Sequence, residues 1–392
     1  MSGVVVTGVG LVTPVGIGTD AAWKAMLAGR EGAAEIPYFD TTAYKVHRAH
    51  VIREVALETT PHELACVAAS EAVRDAGLDI ARTGPERVGV VVGTLGGDLK
   101  TFEAALRADP HHKESGFTPP VTRTYPLSTI LGTLAERLGT GGPHLLSVNA
   151  CSSGNHALAA GCDLVRRGEV DAMVVGGVDV FAQTEFTYFH NLRSLAAEHC
   201  QPFDRNRRGL MIGEGAGMLV LESLERAARR GAPAYAEVKG YGLSADGFHV
   251  TSPDPSGAGA IRAMRAALRA AALAPGDIDY VSAHGTGTPA NDRAEAVALR
   301  AVFGDRADRL PLSSVKSMIG HSMGAASAIE SVVCCLALRD GVVPPTINYE
   351  TPDPDCPVDC VPNTARPLAL RAVMNNSFAF GGNNAVVVFA KV

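Results

Sequence analysis

The sequence predicts an α/β protein made of two related halves, residues 1–235 and 236–392, each with a largely parallel sheet. Three observations predict it. Apolar runs such as Val4-Val-Val, Val88-Gly-Val-Val-Val-Gly93 and Ala172-Met-Val-Val-Gly-Gly-Val178 are unbroken rather than alternating, which marks strands covered on both faces. Segments with helical patterning stand between them. The order of elements before residue 235 then repeats after it, and strands alternating with helices imply βαβ units.

The first run, Val4-Val-Val-Thr-Gly-Val-Gly10, reads as a buried strand closed by glycines. It invites a dinucleotide-binding reading, but Thr13, followed by Pro14, stands where the Gly-x-Gly-x-x-Gly fingerprint needs its third glycine. Residues 61–76 read as a helix with Leu64, Val67, Ala68 and Val73 on one side. Val88–Gly93 is the next strand, Gly96-Gly97 and residues 109–116 read as loop, and residues 127–138 return to a helical pattern. Ser147-Val-Asn-Ala-Cys151-Ser-Ser-Gly154 followed by an Ala/Leu-rich segment reads as strand, tight turn, helix. Unpaired N–H groups and the macrodipole at a helix start favour an anion, so a thiolate at Cys151 is expected to be stabilised near neutral pH. The competing reading of that cysteine is a buried structural thiol. Residues 171–178 form another strand, residues 201–209 a polar turn, and residues 214–222 a glycine-led strand.

In the second half, Ala236-Glu-Val-Lys-Gly-Tyr-Gly-Leu243 echoes Val4-Val-Val-Thr-Gly-Val-Gly-Leu11, and Tyr280-Val-Ser-Ala-His284 echoes Val88–Gly93. Ser313-Ser-Val-Lys316 takes the place of Ser147 to Cys151, and residues 374–382 the place of residues 173–177. Sites in open α/β sheets gather at the carboxyl ends of strands. Cys151, His284, Lys316 and Phe380 all follow apolar runs, so the two halves can bring them to one place.

Composition narrows the function. Hydrophobic residues are 46% but aromatics only 5%, so Val, Ala, Leu and Gly must build the core. A net charge of −6 with no basic block argues against nucleic acid. No apolar run approaches the roughly 18–20 residues of a membrane span, and the start, Met1-Ser-Gly-Val-Val-Val, has no basic n-region. The eight cysteines are scattered, and Cys356 and Cys360 form a lone Cys-x-x-x-Cys without a second pair. A reducing, cytoplasmic setting with free thiols, no metal and no cofactor is the expectation.

Four stretches carry the chemistry: Asn149-Ala-Cys151-Ser-Ser-Gly154, Ala283-His284-Gly-Thr286-Gly-Thr288-Pro-Ala-Asn-Asp292, Ser314-Val-Lys316-Ser-Met-Ile-Gly-His321, and Asn376-Ser-Phe378-Ala-Phe380-Gly-Gly-Asn383. Singly each has a bland alternative as core histidine, turn or strand end. Together they supply a nucleophile, two imidazoles, a lysine and glycine turns that expose backbone N–H groups, an inventory for acyl transfer. A cysteine hydrolase would need one histidine and leave Lys316 and the second imidazole idle.

These stretches resemble the β-ketoacyl-acyl carrier protein synthases, in particular the chain-elongating synthase II type, over nearly the whole chain. The resemblance implies the thiolase-like fold, a layered α-β-α-β-α sandwich of duplicated halves, and no cofactor. It implies that Cys151 takes an acyl group from a carrier-protein thioester, with the N–H groups of Cys151 and Phe380 as oxyanion hole. His284 and His321 then stabilise the charge formed as a malonyl thioester loses carbon dioxide. Lys316 and Glu330, nine residues after His321 (330 − 321), form a supporting ion pair, and Asp292 is another supporting acid. Thr286 and Thr288 bind the pantetheine arm; Phe378 and Phe380 gate the acyl pocket; Phe189 and the pair Ile130-Leu131 line it; Arg193 meets the acidic acyl carrier protein. The partners implied are that carrier and a second subunit, as homodimer or as heterodimer with a chain-length-factor-like chain. A non-catalytic subunit of the same fold is disfavoured because Cys151, His284 and His321 are all present. Four departures from the family pattern, Ala379 between the phenylalanines, Asn383, Asn149 and Arg208, suggest a specialised member in polyketide or polyene synthesis.

Overall fold

The structure is a computed structural model that describes residues 3–56, 59–108, 123 and 125–392; the loop expected at residues 109–116 lies outside the described residues. Ten strands form one path: β1 (Val4–Thr13), β2 (Val88–Gly93), β3 (His144–Ser147), β4 (Ala172–Asp179), β5 (Gly215–Ser223), β6 (Ala236–Ala245), β7 (Tyr280–Ser282), β8 (Leu312–Ser313), β9 (Ala372–Ala379) and β10 (Asn383–Ala390). Their order in the sheet is β8-β7-β9-β10-β6-β1-β5-β4-β2-β3, with the short strand Gly16–Ile17 added to β1. Numbered within each half, both sides read third, second, fourth, fifth, first. Each residue run matched above as an echo therefore occupies the same place in its half. The halves meet edge to edge through Val5 opposite Glu237 and Val6 opposite Ala236.

The sheets are mixed, not largely parallel as the sequence suggested. β2 runs parallel to β3 and β4, but β5 is antiparallel to both β4 and β1, and β10 to both β9 and β6. For β10 the reason is visible at residues 380–382, a three-residue turn between β9 and β10. A parallel crossover needs a dozen residues or more, so this connection can only make a hairpin. The nucleotide-binding reading, already disfavoured by Thr13, finds no turn after the first glycines: β1 continues through Gly8 and Gly10 to Thr13. A Cβ on Gly10 would lie 2.0 Å from the Ala68 carbonyl oxygen, so the glycine is there to let helix α1 (Pro61–Asp75) lie on the strand.

α1 and α2 (Ser128–Leu138) cover the outer face of the first half, with Leu64, Ala68, Ile130, Leu134 and the β2 valines in one cluster. Between the sheets lie α3 (Ser153–Arg166) and the later helix Met323–Asp340, in a cluster that draws on both halves. Helices Ala258–Ala271 and Pro289–Phe303 cover the outer face of the second half. The result is the expected α-β-α-β-α layering. Every residue from Met323 to Leu338 is buried, as fits a helix apolar all round in a central layer. The two central helices cross at Gly154, where a Cβ would lie 2.5 Å from the Ala328 nitrogen.

Candidate active site

Cys151 is brought to the surface of a cavity by its own backbone. Ala150, just before it, has φ 49, a left-handed conformation unusual for alanine. The chain turns there from β3 into a short 3₁₀ turn (Ala150–Ser152) that runs on into α3. Ser153 Oγ accepts from Asn149 N (2.8 Å) and donates to Ala150 O (2.6 Å), closing the turn. From the other half, Ser377 Oγ donates to the Cys151 carbonyl at 3.1 Å. Cys151 is only 5% exposed.

The two imidazoles arrive from the C-terminal half. His284 follows β7; its N–H and that of Gly285 donate to the buried Glu295 carboxylate at 2.9 and 2.8 Å. His321 precedes the helix Met323–Asp340, which we label α7 after α4 (Gln183–Asn191), α5 (Ala258–Ala271) and α6 (Pro289–Phe303). Met323 N donates to His321 Nδ1 at 3.2 Å, which leaves the ring proton on Nε2. The rings stand edge to face, 5.5 Å between centroids. The Cys151 Sγ and a nitrogen of each ring all lie within 4.8 Å of one another. They line a cavity of about 390 Å³ together with Phe189, Arg193, Thr286, Thr288, Phe378 and Phe380.

Electrostatics set the resting state. Burial holds both imidazoles well below their ordinary pKa, helped by the Lys316 charge and, for His284, by His321. Both are neutral. Burial also pushes the Cys151 thiol up to about 12, against the Lys316 charge and the N–H groups of Phe380 and of Cys151 itself. The resting nucleophile is therefore a thiol, not the preformed thiolate the helix start suggested: burial disfavours the anion more than the helix terminus favours it. The same two N–H groups are those expected to form the oxyanion hole. Lys316 and Glu330 form an ion pair with both side chains essentially inaccessible. Burial raises the Glu330 carboxyl to about 7 even against the lysine charge.

The remaining expected residues fall as follows. Asp292 accepts from Phe203 N (2.8 Å), Thr286 N (3.1 Å) and Gly287 N (3.2 Å), so it shapes the turn that presents Thr286 and Thr288, whose hydroxyls are 2.8 Å apart. The Phe189 ring packs on Phe380 at 5.6 Å. Phe378 lies on β9 rather than in the turn, edge to face with His284 at 6.1 Å. Arg193 is exposed at the cavity mouth, with Arg208 beside it. Ile130 does not line this cavity. It is buried in the packing of α2 on the first sheet, because its helix turns the face that carries Ile130 and Leu134 into the cluster with Leu64, Val90 and Val92.

Two family models match the chain: "Beta-ketoacyl synthase, N-terminal domain" over residues 1–227 and "Beta-ketoacyl synthase, C-terminal domain" over residues 235–350. The chain belongs to the β-ketoacyl synthase family. It is 39% identical to the 3-oxoacyl-[acyl-carrier-protein] synthase 2 of Staphylococcus aureus over 409 aligned positions, which cover 99% of this chain and 98% of that protein. Among solved structures, the ishigamide ketosynthase/chain length factor superposes with a TM-score of 0.94 at 38% identity, covering 100% of this chain and 99% of that one. A type II PKS ketosynthase bound to the hexaketide, in complex with its acyl-carrier protein, superposes with a TM-score of 0.95 at 31% identity, over 100% of both chains.

Two buried acids of this synthase escaped the sequence reading. Glu295, which grips the His284 turn, lies three residues after Asp292 on α6; that helical i,i+3 spacing was the available signal. Asp179, at the end of β4, accepts from Thr94 Oγ1 (2.7 Å), Leu95 N (2.8 Å), Gly96 N (3.0 Å) and Gly324 N (2.7 Å). It ties the first half to the start of α7, beside Met323 and His321, and nothing local in the sequence marks it. Among the described residues, Cys151, His284 and His321 are the set that could offer three ligand atoms to a metal. The buried Lys316 charge, which helps hold both imidazoles neutral and works against the rise of the Cys151 thiol, opposes a cation there.

Proposed function

We propose that this protein is a cytoplasmic β-ketoacyl-acyl carrier protein synthase that extends an acyl chain held on Cys151 by two carbons from a malonyl thioester. In the first stage the Cys151 sulfur attacks the carrier-bound acyl carbonyl. A neutral imidazole takes the thiol proton, the Phe380 and Cys151 N–H groups stabilise the oxyanion, and the carrier thiol leaves with a proton as the acyl–Cys151 bond forms. In the second stage malonyl-carrier loses carbon dioxide. His321, with its proton on Nε2, and His284 donate to the thioester oxygen of the resulting enolate. The enolate carbon attacks the acyl carbonyl, the new C–C bond forms, and Cys151 leaves as a thiolate that takes up a proton from solvent, its own having departed on the carrier thiol. Lys316 and Glu330 set the local charge, Asp292 and Glu295 hold the two turns, and Thr286 and Thr288 bind the pantetheine arm. The observation that carries this reading is the 4.8 Å convergence of one sulfur and two imidazoles contributed by different halves.

The experiment is a mass measurement. Incubated with acyl-carrier thioesters, the wild type gains one acyl group and Cys151→Ala gains none; an adduct surviving in the variant would refute the assignment. A place in polyketide or polyene synthesis is supported by the similarity to the ishigamide and hexaketide-bound ketosynthases. A division of the chain at residues 235/236 is supported by the matching strand orders of the two halves. Pairing with a second copy or a chain-length-factor-like subunit is supported by β3. It is the last strand of the sheet, with Leu145 43% and Val148 49% exposed beside its free edge.

A further inference from the structure

Behind the thiol, a group of buried amides and hydroxyls with no part in the reaction steps ties the two halves together. Asn155 on α3, Asn375 on β9, and Ser327 and Ser331 on α7 are all inaccessible. Asn375 Nδ2 donates to Ser327 O and to Ser331 Oγ, both at 2.9 Å, and Ser331 Oγ in turn donates to Asn155 Oδ1 at 3.1 Å. Asn375 Nδ2 also stands 3.2 Å from Asn155 Oδ1 directly. Asn155 Nδ2 completes the path by donating to Ala385 O on β10 at 3.2 Å. The Asn155 N–H, in the first turn of α3 where a helix needs acceptors from outside, donates to Ser327 Oγ at 3.0 Å.

Both asparagines stand beside reacting parts. Asn155 lies four residues after Cys151, in the helix that the thiol leads into. Asn375 lies two residues before Ser377 on β9, hence on the same face, and Ser377 Oγ holds the Cys151 carbonyl. The same strand then runs to Phe380, one of the two N–H groups of the oxyanion hole. Asn375 Oδ1 has no hydrogen-bond partner among the described residues, so the network gives back part of its own gain. Apolar packing would serve stability as well. What the amides add is direction, since a satisfied buried network accepts one arrangement of its elements.

We propose that Asn155 and Asn375 are positioning residues that set the register of the thiol-bearing helix against β9 and α7, and with it the alignment of the Cys151 sulfur and the Phe380 N–H in acyl transfer. This rests on the reading of Cys151 as the acyl acceptor. Acyl transfer needs nucleophile, carbonyl and donor in one geometry, and a shift of about 1 Å from a distant change can cost about 10²-fold. The imidazoles are anchored separately, His284 through Glu295 and His321 through the Met323 N–H, neither of which belongs to this network.

The test compares the wild type with Asn155→Leu/Asn375→Leu, which replaces both amides by side chains of the same branching. Removing both partners of a buried hydrogen bond together is close to neutral for stability. Acyl transfer from pantetheine thioesters and malonyl decarboxylation are each measured per folded molecule. In the double variant kcat for acyl transfer falls about tenfold or more at unchanged KM, because Thr286, Thr288 and the cavity mouth are untouched, while decarboxylation stays within about threefold. Ser331→Ala, which removes only the hydroxyl link, moves the same ratio in the same direction by a smaller factor, and it decides the case if the double variant does not fold. A wild-type ratio of the two rates in the folded variant overturns the inference and leaves the synthase reading intact. An equal fall in both rates overturns it too, as the mark of a merely structural network. If the wild type does not acylate at Cys151, the synthase reading itself falls and this inference with it.

Discussion

The thiol, the two imidazoles and the Glu330 carboxyl each titrate away from their ordinary range, and each has a measurable consequence. Because burial raises the Cys151 thiol to about 12, its alkylation by iodoacetamide rises about tenfold per pH unit from pH 7 to 9. A plateau below pH 8 would show a preformed thiolate instead. His321→Ala removes the imidazole whose proton is fixed on Nε2 by Met323. Acylation of Cys151 then survives within about tenfold, while malonyl decarboxylation falls by about 10²–10³, the loss typical of one oxyanion donor. Equal losses in both stages would place His321 elsewhere in the reaction. Glu330→Ala leaves the Lys316 charge buried without its partner, a change that costs about 3–5 kcal/mol of stability by denaturant titration. Cysteine, histidine and lysine were legible because only a few chemistries use all three after strand ends. The height of the thiol pKa was not, since desolvation depends on what packs around Cys151.

At the scale of single elements, the two central helices and the β9–β10 hairpin decide the geometry. Cys151 begins the run into α3 and His321 precedes α7, so the distance between them is set where Gly154 touches Ala328. Gly154→Ala drives the helices apart. It lowers stability by about 1–3 kcal/mol and lowers condensation more than folding alone explains, measured as turnover per folded molecule. In the hairpin, Ala379 adopts φ −107 and ψ 160, extended backbone that alanine takes without strain. Asn383 Nδ2 donates to Phe380 O at 3.3 Å, steadying the turn. The extra Cβ at Ala379 restricts the other conformations the turn can visit. Ala379→Gly therefore shifts acyl-chain preference over a chain-length series, and identical kinetics would make the substitution irrelevant to gating. The strands and helices were readable from period and composition. The antiparallel partners β5 and β10 were not, because burial on both faces hides strand direction from the pattern.

Across the whole molecule, stability is linked to pH through buried groups of opposite sign. His50, His284 and His321 are buried neutral, His50 with its pKa lowered to about 3 by burial first and nearby positive groups next. Below about pH 6.5 the unfolded chain binds protons these rings cannot, so each histidine costs stability as pH falls. Glu295, raised to about 7, and Asp179, raised to about 6, do the reverse: the folded form protonates first, and stability is lost as pH rises through those values. The diagnostic quantity is therefore a difference. His50→Leu removes one ring, and its stability relative to wild type improves by about 1.4 kcal/mol per pH unit below 6.5. Urea unfolding of both proteins at pH 7.5 and 5.5 measures it; parallel curves would show that His50 does not titrate on unfolding.

The sequence by itself determined the alternation of strands and helices, the repeat of their order, and the short list of reactive side chains, because these depend on local period and residue type. It also named Asp292 and the Lys316–Glu330 pair through resemblance. Only the tertiary structure decided that Ile130 belongs to the first sheet's packing and that Asp179 clamps the start of α7. Burial, protonation and contact between residues more than a hundred positions apart are properties of the packed interior, and no stretch of chain carries them alone.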